Sequence, residues 1–133
     1  MERRGVAYWV LLLLGAGALA NGLVMLVVPE PWFVRIAADT GPFNPHLVRD
    51  VGAAYATSGI AALWAARAPL WRAPLALTAA LFQGMHGAIH VFDVLSGAQP
   101  ASHLLEDIPG VYLPTLALIG VALHALRSPA SRA

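Results

Sequence analysis

Long apolar segments separated by short polar loops are the main pattern of this chain. A helix that crosses a membrane needs about 20 mostly apolar residues, and four segments reach this length. They predict helices over residues 6–28, 45–66, 74–95 and 108–126. The pattern therefore predicts an all-α fold, an antiparallel four-helix transmembrane bundle in which residues 1–133 form a single domain. In the first outer loop, Trp32 and Phe33 predict a short interfacial helix over residues 32–38.

Residues typical of helix ends mark the borders of these segments. Asn44 followed by Pro45 predicts an N-cap and a proline in the first helical position. Pro74 can open the third helix in the same way, and Asp107 is expected to cap the fourth. Pro114 lies deeper in the fourth segment and predicts a kink there.

The composition is that of a membrane protein. Hydrophobic residues make up 59% of the chain and charged residues 11%, whereas a typical soluble domain has about 25% charged residues. The chain has no cysteine, which excludes disulfides and thiolate metal sites. A net charge of +1 gives no basis for nucleic-acid binding, so the expected partner is the lipid bilayer.

The placement of arginine predicts the orientation. Cytoplasmic loops of membrane proteins are enriched in arginine and lysine. Most arginines fall at one side of the predicted bundle: Arg3, Arg4, Arg67, Arg72, Arg127 and Arg132. Arg35 and Arg49 fall at the other side, so both termini are expected in the cytoplasm.

A polar stripe interrupts the third apolar segment. At about 100° per residue, four polar residues of this segment share an arc of about 80°: Gln83, His86, His90 and Asp93. Ionisable groups at membrane depth are costly and mark functional sites. The other three segments carry polar residues at a similar depth: Asn21, Asp50, Tyr55 and Tyr112. These positions predict a polar pocket in the outer half of the bundle.

His86 and His90 predict a metal site. Histidines four residues apart on a helix project to the same side and can share one ion. Oxygen ligands can come from Asp50, Asp93 or Glu106, and such a nitrogen and oxygen set suits zinc, iron, manganese or copper(II). Haem is disfavoured, because two histidines on one helix cannot bind both faces of one haem. A metal-dependent protein of this kind could act on a lipophilic molecule.

A metal-free interpretation uses the same stripe. Asp50 or Asp93 orients His90, and the histidine acts as an acid or base on a lipophilic substrate of isoprenoid-like or quinone-like character. The remaining polar residues then hold that substrate: Tyr55, Asn21, Tyr112 and Gln83. Both interpretations leave open whether the protein is an enzyme.

A third interpretation assigns no chemistry to these groups. The polar side chains then pair across helices, namely Arg49 with Asp50 or Asp93, His90 with Asn21, and His86 with Tyr55. The protein is then a non-catalytic accessory subunit, whose partner is another membrane protein or a second copy of itself.

Residues 49–55 (RDVGAAY), followed by Ser58 and Gly59, resemble the second helix of small bacterial four-helix membrane proteins of the DoxX-like kind. The size, the four apolar segments and the long first outer loop are similar too. The resemblance implies a four-helix architecture in the bacterial inner membrane, and it implies no particular activity.

Overall fold

The structure, a computed structural model, describes residues 5–127. Within this range all regular structure is helical, which confirms the all-α prediction. The α-helices are α1 (Val6–Val27), α2 (Pro29–Ile36), α3 (Pro45–Arg67), α4 (Arg72–Leu95), α5 (His103–Glu106) and α6 (Leu113–Arg127). A 3-10 turn, Pro69–Trp71, precedes α4, and a π-helical turn, Ile108–Tyr112, precedes α6.

Within the described residues, three helical segments have the length and composition to cross a membrane: Val6–Val27, Pro69–Leu95 and Ile108–Arg127. Their mean hydropathy ranges from 1.3 to 2.3, so the chain is a multi-pass membrane protein by helix length and hydropathy. α3 has 23 residues, which is long enough to cross a bilayer, but its first turns are polar. The prediction of four spans is therefore confirmed for three of them.

The long helices pack in the order α1, α3, α4 and α6, and neighbours are antiparallel. α1 packs mainly on α3, and α6 packs mainly on α4. α1 and α6 touch much less, so a gap runs between them. α2 and the connection 96–112 lie at one end of the bundle, which we name the α2 end. The opposite end, named the Arg72 end, carries the starts of α1 and α4 and the end of α6.

Glycines let the backbones of α1 and α3 touch. A Cβ atom at Gly22 would lie 2.5 Å from the nitrogen of Ala56 and from the carbonyl oxygen of Gly52. A Cβ atom at Gly15 would lie 2.9 Å from the nitrogen of Leu63. Lipid gives helices no hydrophobic drive to associate, so the close packing of small residues holds this pair together.

Alanines dominate the core at the Arg72 end. The buried cluster comprises Ala62, Ala65 and Ala66 of α3, Ala76, Ala79 and Ala80 of α4, Leu118, Val121 and Ala122 of α6, and Leu11 of α1. Toward the α2 end, the rings of Tyr55 and Phe82 replace the alanines between α3 and α4, with centroids 5.0 Å apart. Small side chains therefore fill the core between α3 and α4 at the Arg72 end, and aromatic rings fill it toward the α2 end.

The predicted start of α3 is confirmed. Asn44 Oδ1 accepts hydrogen bonds from the backbone N–H groups of His46 and Leu47 at 3.0 and 3.2 Å. α4 begins at Arg72, two residues before the predicted start at Pro74, because the 3-10 turn leads directly into it. α2 begins at Pro29 rather than at residue 32.

The predicted start of the fourth helix is wrong in one respect. Asp107 makes no capping hydrogen bond, because its carboxylate binds His90 instead. The kink at Pro114 stays a prediction, and a π-helical turn, Ile108–Tyr112, comes just before this residue.

The arginines within residues 5–127 lie at the same two ends of the bundle as the sequence predicts. Arg67, Arg72 and Arg127 lie at the Arg72 end, and Arg35 and Arg49 at the α2 end. Arg3, Arg4 and Arg132 lie outside the described residues. The cytoplasmic location of the termini stays a prediction.

We expect Gly22→Ala to destabilise the protein, because the added methyl group would overlap backbone atoms of α3. Overpacking of this kind costs about 1–3 kcal/mol, which lowers the midpoint of thermal unfolding in detergent. Gly17→Ala is the matched control: a Cβ atom at Gly17 meets no atom within 4 Å, and alanine is the better helix former. An unchanged midpoint for Gly22→Ala would contradict the close packing of α1 on α3.

Candidate functional site

A cavity of about 780 Å³ lies at the α2 end; we name it the α2-end cavity. Its walls come from α1, α2, α3 and α4 and from the start of α6. Its polar lining includes Asn21, Trp32, Tyr55, Gln83, His86, His90, Asp93 and Asp107, and the rest is largely apolar. A volume of this size is typical of sites that bind small molecules.

Three side chains in this cavity form a continuous chain of short contacts, which we name the relay. Asp107 Oδ2 lies 2.7 Å from His90 Nδ1, and His90 Nε2 lies 3.1 Å from His86 Nε2. The Asp107 and His90 side chains are only 16% and 29% exposed. A charge-assisted hydrogen bond in such a site is about twice as strong as a neutral one.

The carboxylate sets the direction of the hydrogen bonds in the relay. An ionised carboxylate only accepts, so His90 Nδ1 donates to Asp107. In a neutral His90, Nε2 is then the acceptor, and it takes its hydrogen bond from Nε2–H of His86. This arrangement leaves Nδ1 as the unprotonated nitrogen of His86, which makes that ring the proton acceptor of the relay.

Helix geometry and a close helix contact assemble the relay. His86 and His90 lie one turn apart on α4, so their rings meet, with centroids 4.6 Å apart. Gly87 lies between them, and a Cβ atom there would come within 3.2 Å of Val111 Cγ1. The absence of a side chain at Gly87 therefore lets the π-helical turn approach α4 and bring Asp107 to His90.

Aromatic rings hold His86 in place. Tyr55 of α3 meets the His86 ring edge-on at a centroid distance of 5.5 Å. Phe82 of α4 lies nearly parallel to the same ring at 6.2 Å. These contacts restrict the orientation of the imidazole at the end of the relay.

α2 covers the cavity and is tied to α1. Trp32 Nε1 donates a hydrogen bond of 2.9 Å to Asn21 Oδ1. The segment after α2 is joined to the connection after α4, since His103 Nε2 lies 3.0 Å from Asp39 Oδ2. Polar contacts between segments that are distant in the sequence thus hold the cover of the cavity in place.

Two buried polar oxygens near the relay have no hydrogen-bond partner within residues 5–127: Gln83 Oε1 and the Tyr112 hydroxyl. Gln83 is 5% exposed. A buried polar group without a partner costs about 1–3 kcal/mol. Gln83 lines the cavity, so its oxygen is a candidate acceptor for a hydrogen bond from a bound polar molecule, whereas Tyr112 is not part of the cavity lining.

The structure places some predicted site residues in the cavity and others on the surface. Asp93 lines the cavity. Asp50 is exposed, and its carboxylate lies 3.4 Å from His46. Glu106 is also exposed and lies 3.9 Å from His103. Neither Asp50 nor Glu106 belongs to the cavity lining.

No group of three or more histidine, aspartate or glutamate side chains is arranged to hold a metal ion within residues 5–127. His86 and His90 are close to each other, and the three carboxylates predicted as ligands do not join them in such a group. The metal site therefore stays a prediction.

The cross-helix pairs expected for a purely structural role are largely absent. Arg49 Nε donates to the carbonyl oxygen of Leu26 at 3.3 Å, so its N–H group contacts backbone instead of the expected carboxylates. Asn21 is bonded to Trp32 and not to His90. His86 and Tyr55 do meet, through their rings. The interpretation as an accessory subunit stays a prediction.

Asp107 is the site residue that sequence reasoning missed. An aspartate just before an apolar segment is typical of a helix cap, and the residue count from the helix end places it at the membrane surface. The short α5 and the π-helical turn change both its depth and its direction. No local sequence pattern predicts the π-helical turn at residues 108–112.

No protein-family model, curated protein or solved structure matches this chain. The interpretation of the site therefore depends on the geometry of its own residues.

We expect Asp107→Asn to remove the strongly downfield proton resonance of His90 Nδ1–H, because the acceptor is no longer a carboxylate. NMR of protein labelled with nitrogen-15 at histidine measures this change in detergent micelles. Asp93→Asn is the control, since Asp93 lines the same cavity but makes no contact with His90 Nδ1. A resonance that disappears in Asp93→Asn and persists in Asp107→Asn would refute the assigned relay.

Proposed function

We propose that this protein binds a lipophilic molecule with a hydrogen-bonding head group in the α2-end cavity and exchanges a proton with that head group through His86. The observation that carries the proposal is the relay, in which a carboxylate polarises two imidazoles in a mostly apolar cavity. Paired carboxylate and imidazole groups are the usual means of positioned acid and base chemistry.

We further propose that α3 is a fourth span. α1 runs from the Arg72 end to the α2 end, and α4 starts again at the Arg72 end. The chain between them has to return through the same thickness, and α3 makes this return. Its polar first turns lie at the α2 end, where the headgroup region can solvate them. The resemblance to DoxX-like proteins supports the same four-helix layout and a bacterial inner membrane.

This layout places the α2-end cavity inside the bilayer. A lipophilic molecule can then enter from the membrane through the gap between α1 and α6. Its apolar part would lie against residues such as Leu14 and Ile89, and its head group would reach the relay. The arginine distribution supports a cavity that lies on the outer side, with both termini in the cytoplasm.

The chemistry at the relay is a reversible proton transfer. The O–H or N–H bond of the head group breaks, and its proton passes to Nδ1 of His86. The imidazolium that forms is stabilised through His90 by the carboxylate of Asp107. The anionic head group can accept a hydrogen bond from the amide N–H group of Gln83, which lines the same cavity.

A nitrophenol that carries a nonyl chain tests this proposal, since its phenolate absorbs at longer wavelength than its phenol. An apolar cavity without a base disfavours the charged form. We expect the bound probe to be ionised at a pH at which the free probe is mostly phenol. Asp107→Asn should lower the ratio of bound phenolate to phenol about tenfold, which corresponds to about 1.4 kcal/mol. Absorption spectra of the protein in lipid nanodiscs measure the ratio.

Three further variants separate binding from proton transfer. His86→Phe should keep the bound probe in the phenol form. Gly17→Leu should reduce binding itself, because Gly17 lines the cavity and has room for a side chain. Gly120→Leu is the matched control, since Gly120 lines a different cavity and also has open space. An undiminished phenolate signal in His86→Phe would overturn the proposal.

A metal ion shared by His86 and His90 is the second candidate. Two nitrogens that bind one tetrahedral Zn²⁺ at about 2.0–2.1 Å lie about 3.3–3.4 Å apart, close to the 3.1 Å between the two Nε2 atoms. A carboxylate on the other nitrogen of a histidine ligand is also typical of metal sites. Asp107 has this position relative to His90.

Metal analysis distinguishes the two candidates. The metal-free relay predicts that purified protein and the double variant His86→Ala/His90→Ala contain equal amounts of zinc, iron, manganese and copper. It also predicts that a chelator leaves the phenolate signal unchanged. One equivalent of metal in the natural protein, lost in the double variant, would favour the metal site instead.

A further inference from the structure

A second cavity, of about 640 Å³, lies at the Arg72 end of the same gap between α1 and α6; we name it the Arg72-end cavity. The start of α1 and the second half of α6 form its long walls, with apolar residues such as Val10 and Val121. Arg72 and His124 are its side chains that can carry positive charge. The cavity is therefore apolar along the helices and basic toward the end of the bundle.

Arg72 is held in place and still has hydrogen-bond donors to offer. Its Nε and Nη2 groups donate to the carbonyl oxygens of Ala65 and Ala66 at 3.2 and 3.4 Å, which fixes the guanidinium at the end of α3. A guanidinium has five N–H donors, so further donors remain. The ion pairs within residues 5–127 all involve histidines, so Arg72 has no carboxylate partner among them.

The charge distribution makes this end of the bundle attractive to anions. The acidic residues of the described range all lie at the α2 end: Glu30, Asp39, Asp50, Asp93, Glu106 and Asp107. Arg67 and Arg127 lie with Arg72 at the opposite end. Within residues 5–127, no carboxylate therefore lies near the positively charged side chains of the Arg72 end.

We propose that the Arg72-end cavity binds an anionic phospholipid of the surrounding membrane. The phosphate accepts hydrogen bonds from Arg72, and one acyl chain lies along the gap between α1 and α6. A free phosphate would use only the guanidinium and an uncharged lipid only the apolar walls, whereas an anionic amphiphile uses both. Basic pockets between transmembrane helices bind anionic head groups for the same electrostatic reason. This proposal does not depend on the relay.

Native mass spectrometry with phosphatidylglycerol and phosphatidylcholine tests the proposal. We expect the protein to retain one phosphatidylglycerol molecule in preference to phosphatidylcholine. Arg72→Gln should lower the affinity for phosphatidylglycerol about tenfold, as expected for the loss of a charge-assisted hydrogen bond. Arg67→Gln is the matched control: it removes the same charge from the same end, but Arg67 is exposed and does not line the cavity.

Gly120→Leu tests the position of the acyl chain without a change of charge. Gly120 lines the cavity, and a Cβ atom there meets nothing within 4 Å, so leucine should fill the chain's path without a clash. We expect the variant to lose phosphatidylglycerol binding while its unfolding midpoint in lipid-free detergent stays the same. Gly120→Leu therefore tests whether the lipid binds in the Arg72-end cavity even if Arg72→Gln lowers the yield of folded protein.

Three results would overturn the proposal. An equal loss of binding in Arg67→Gln and Arg72→Gln would indicate diffuse surface charge. Unchanged binding in Gly120→Leu would place the chain outside the gap. Displacement of the lipid by inorganic phosphate alone, at a concentration similar to that of the lipid, would indicate a simple anion site.

Discussion

The backbone of α1 lies directly against the backbone of α3, with Gly15 and Gly22 facing Gly59 and Gly52. Within a membrane, apolar side chains gain nothing by leaving lipid for a helix interface, so contact of this kind determines which helices associate. α1 is fixed to α3, α3 to α4, and α4 to α6. No comparable contact joins α1 to α6. α1 and α6 both line the Arg72-end cavity, whereas the walls of the α2-end cavity come mainly from α1, α2, α3 and α4.

The polar residues of the α2-end cavity can lie among apolar side chains because most of them are paired. Transfer of an unpaired charge into an apolar site is costly, and the relay lowers this cost by joining the buried carboxylate of Asp107 to two imidazoles. The relay nevertheless ends at a nitrogen of His86 that needs a donor. The side-chain oxygen of Gln83, in the same cavity, has no hydrogen-bond partner among residues 5–127. The hydrogen-bonding capacity of this site is therefore only partly used by its own residues, which is the basis of the proposed ligand.

Sequence alone predicts the elements that depend on local rules. The apolar lengths of α1, α4 and α6, the Asn44 cap and the shared face of His86 and His90 all follow from helix geometry. The partner of His90, which is Asp107, does not follow from such local rules. Residue counting from helix ends assumes regular helices, and the π-helical turn before α6 breaks that assumption, so Asp107 reaches the position expected of Asp93 or Asp50. Long-range contacts of this kind depend on how closely the π-helical turn approaches Gly87 of α4.

The two cavities can serve two different ligands because the two ends of the bundle differ in charge. Both cavities present mainly apolar side chains, which provide affinity for any lipid chain but little discrimination. Discrimination therefore has to come from the ends. Arg72 offers donors and has no carboxylate partner within residues 5–127, and the relay offers an acceptor that Asp107 polarises. An anionic head group is therefore favoured at one end, and a head group that can release a proton is favoured at the other. The separation of charge along the bundle thus gives each cavity its own chemistry, although α1 and α6 border both.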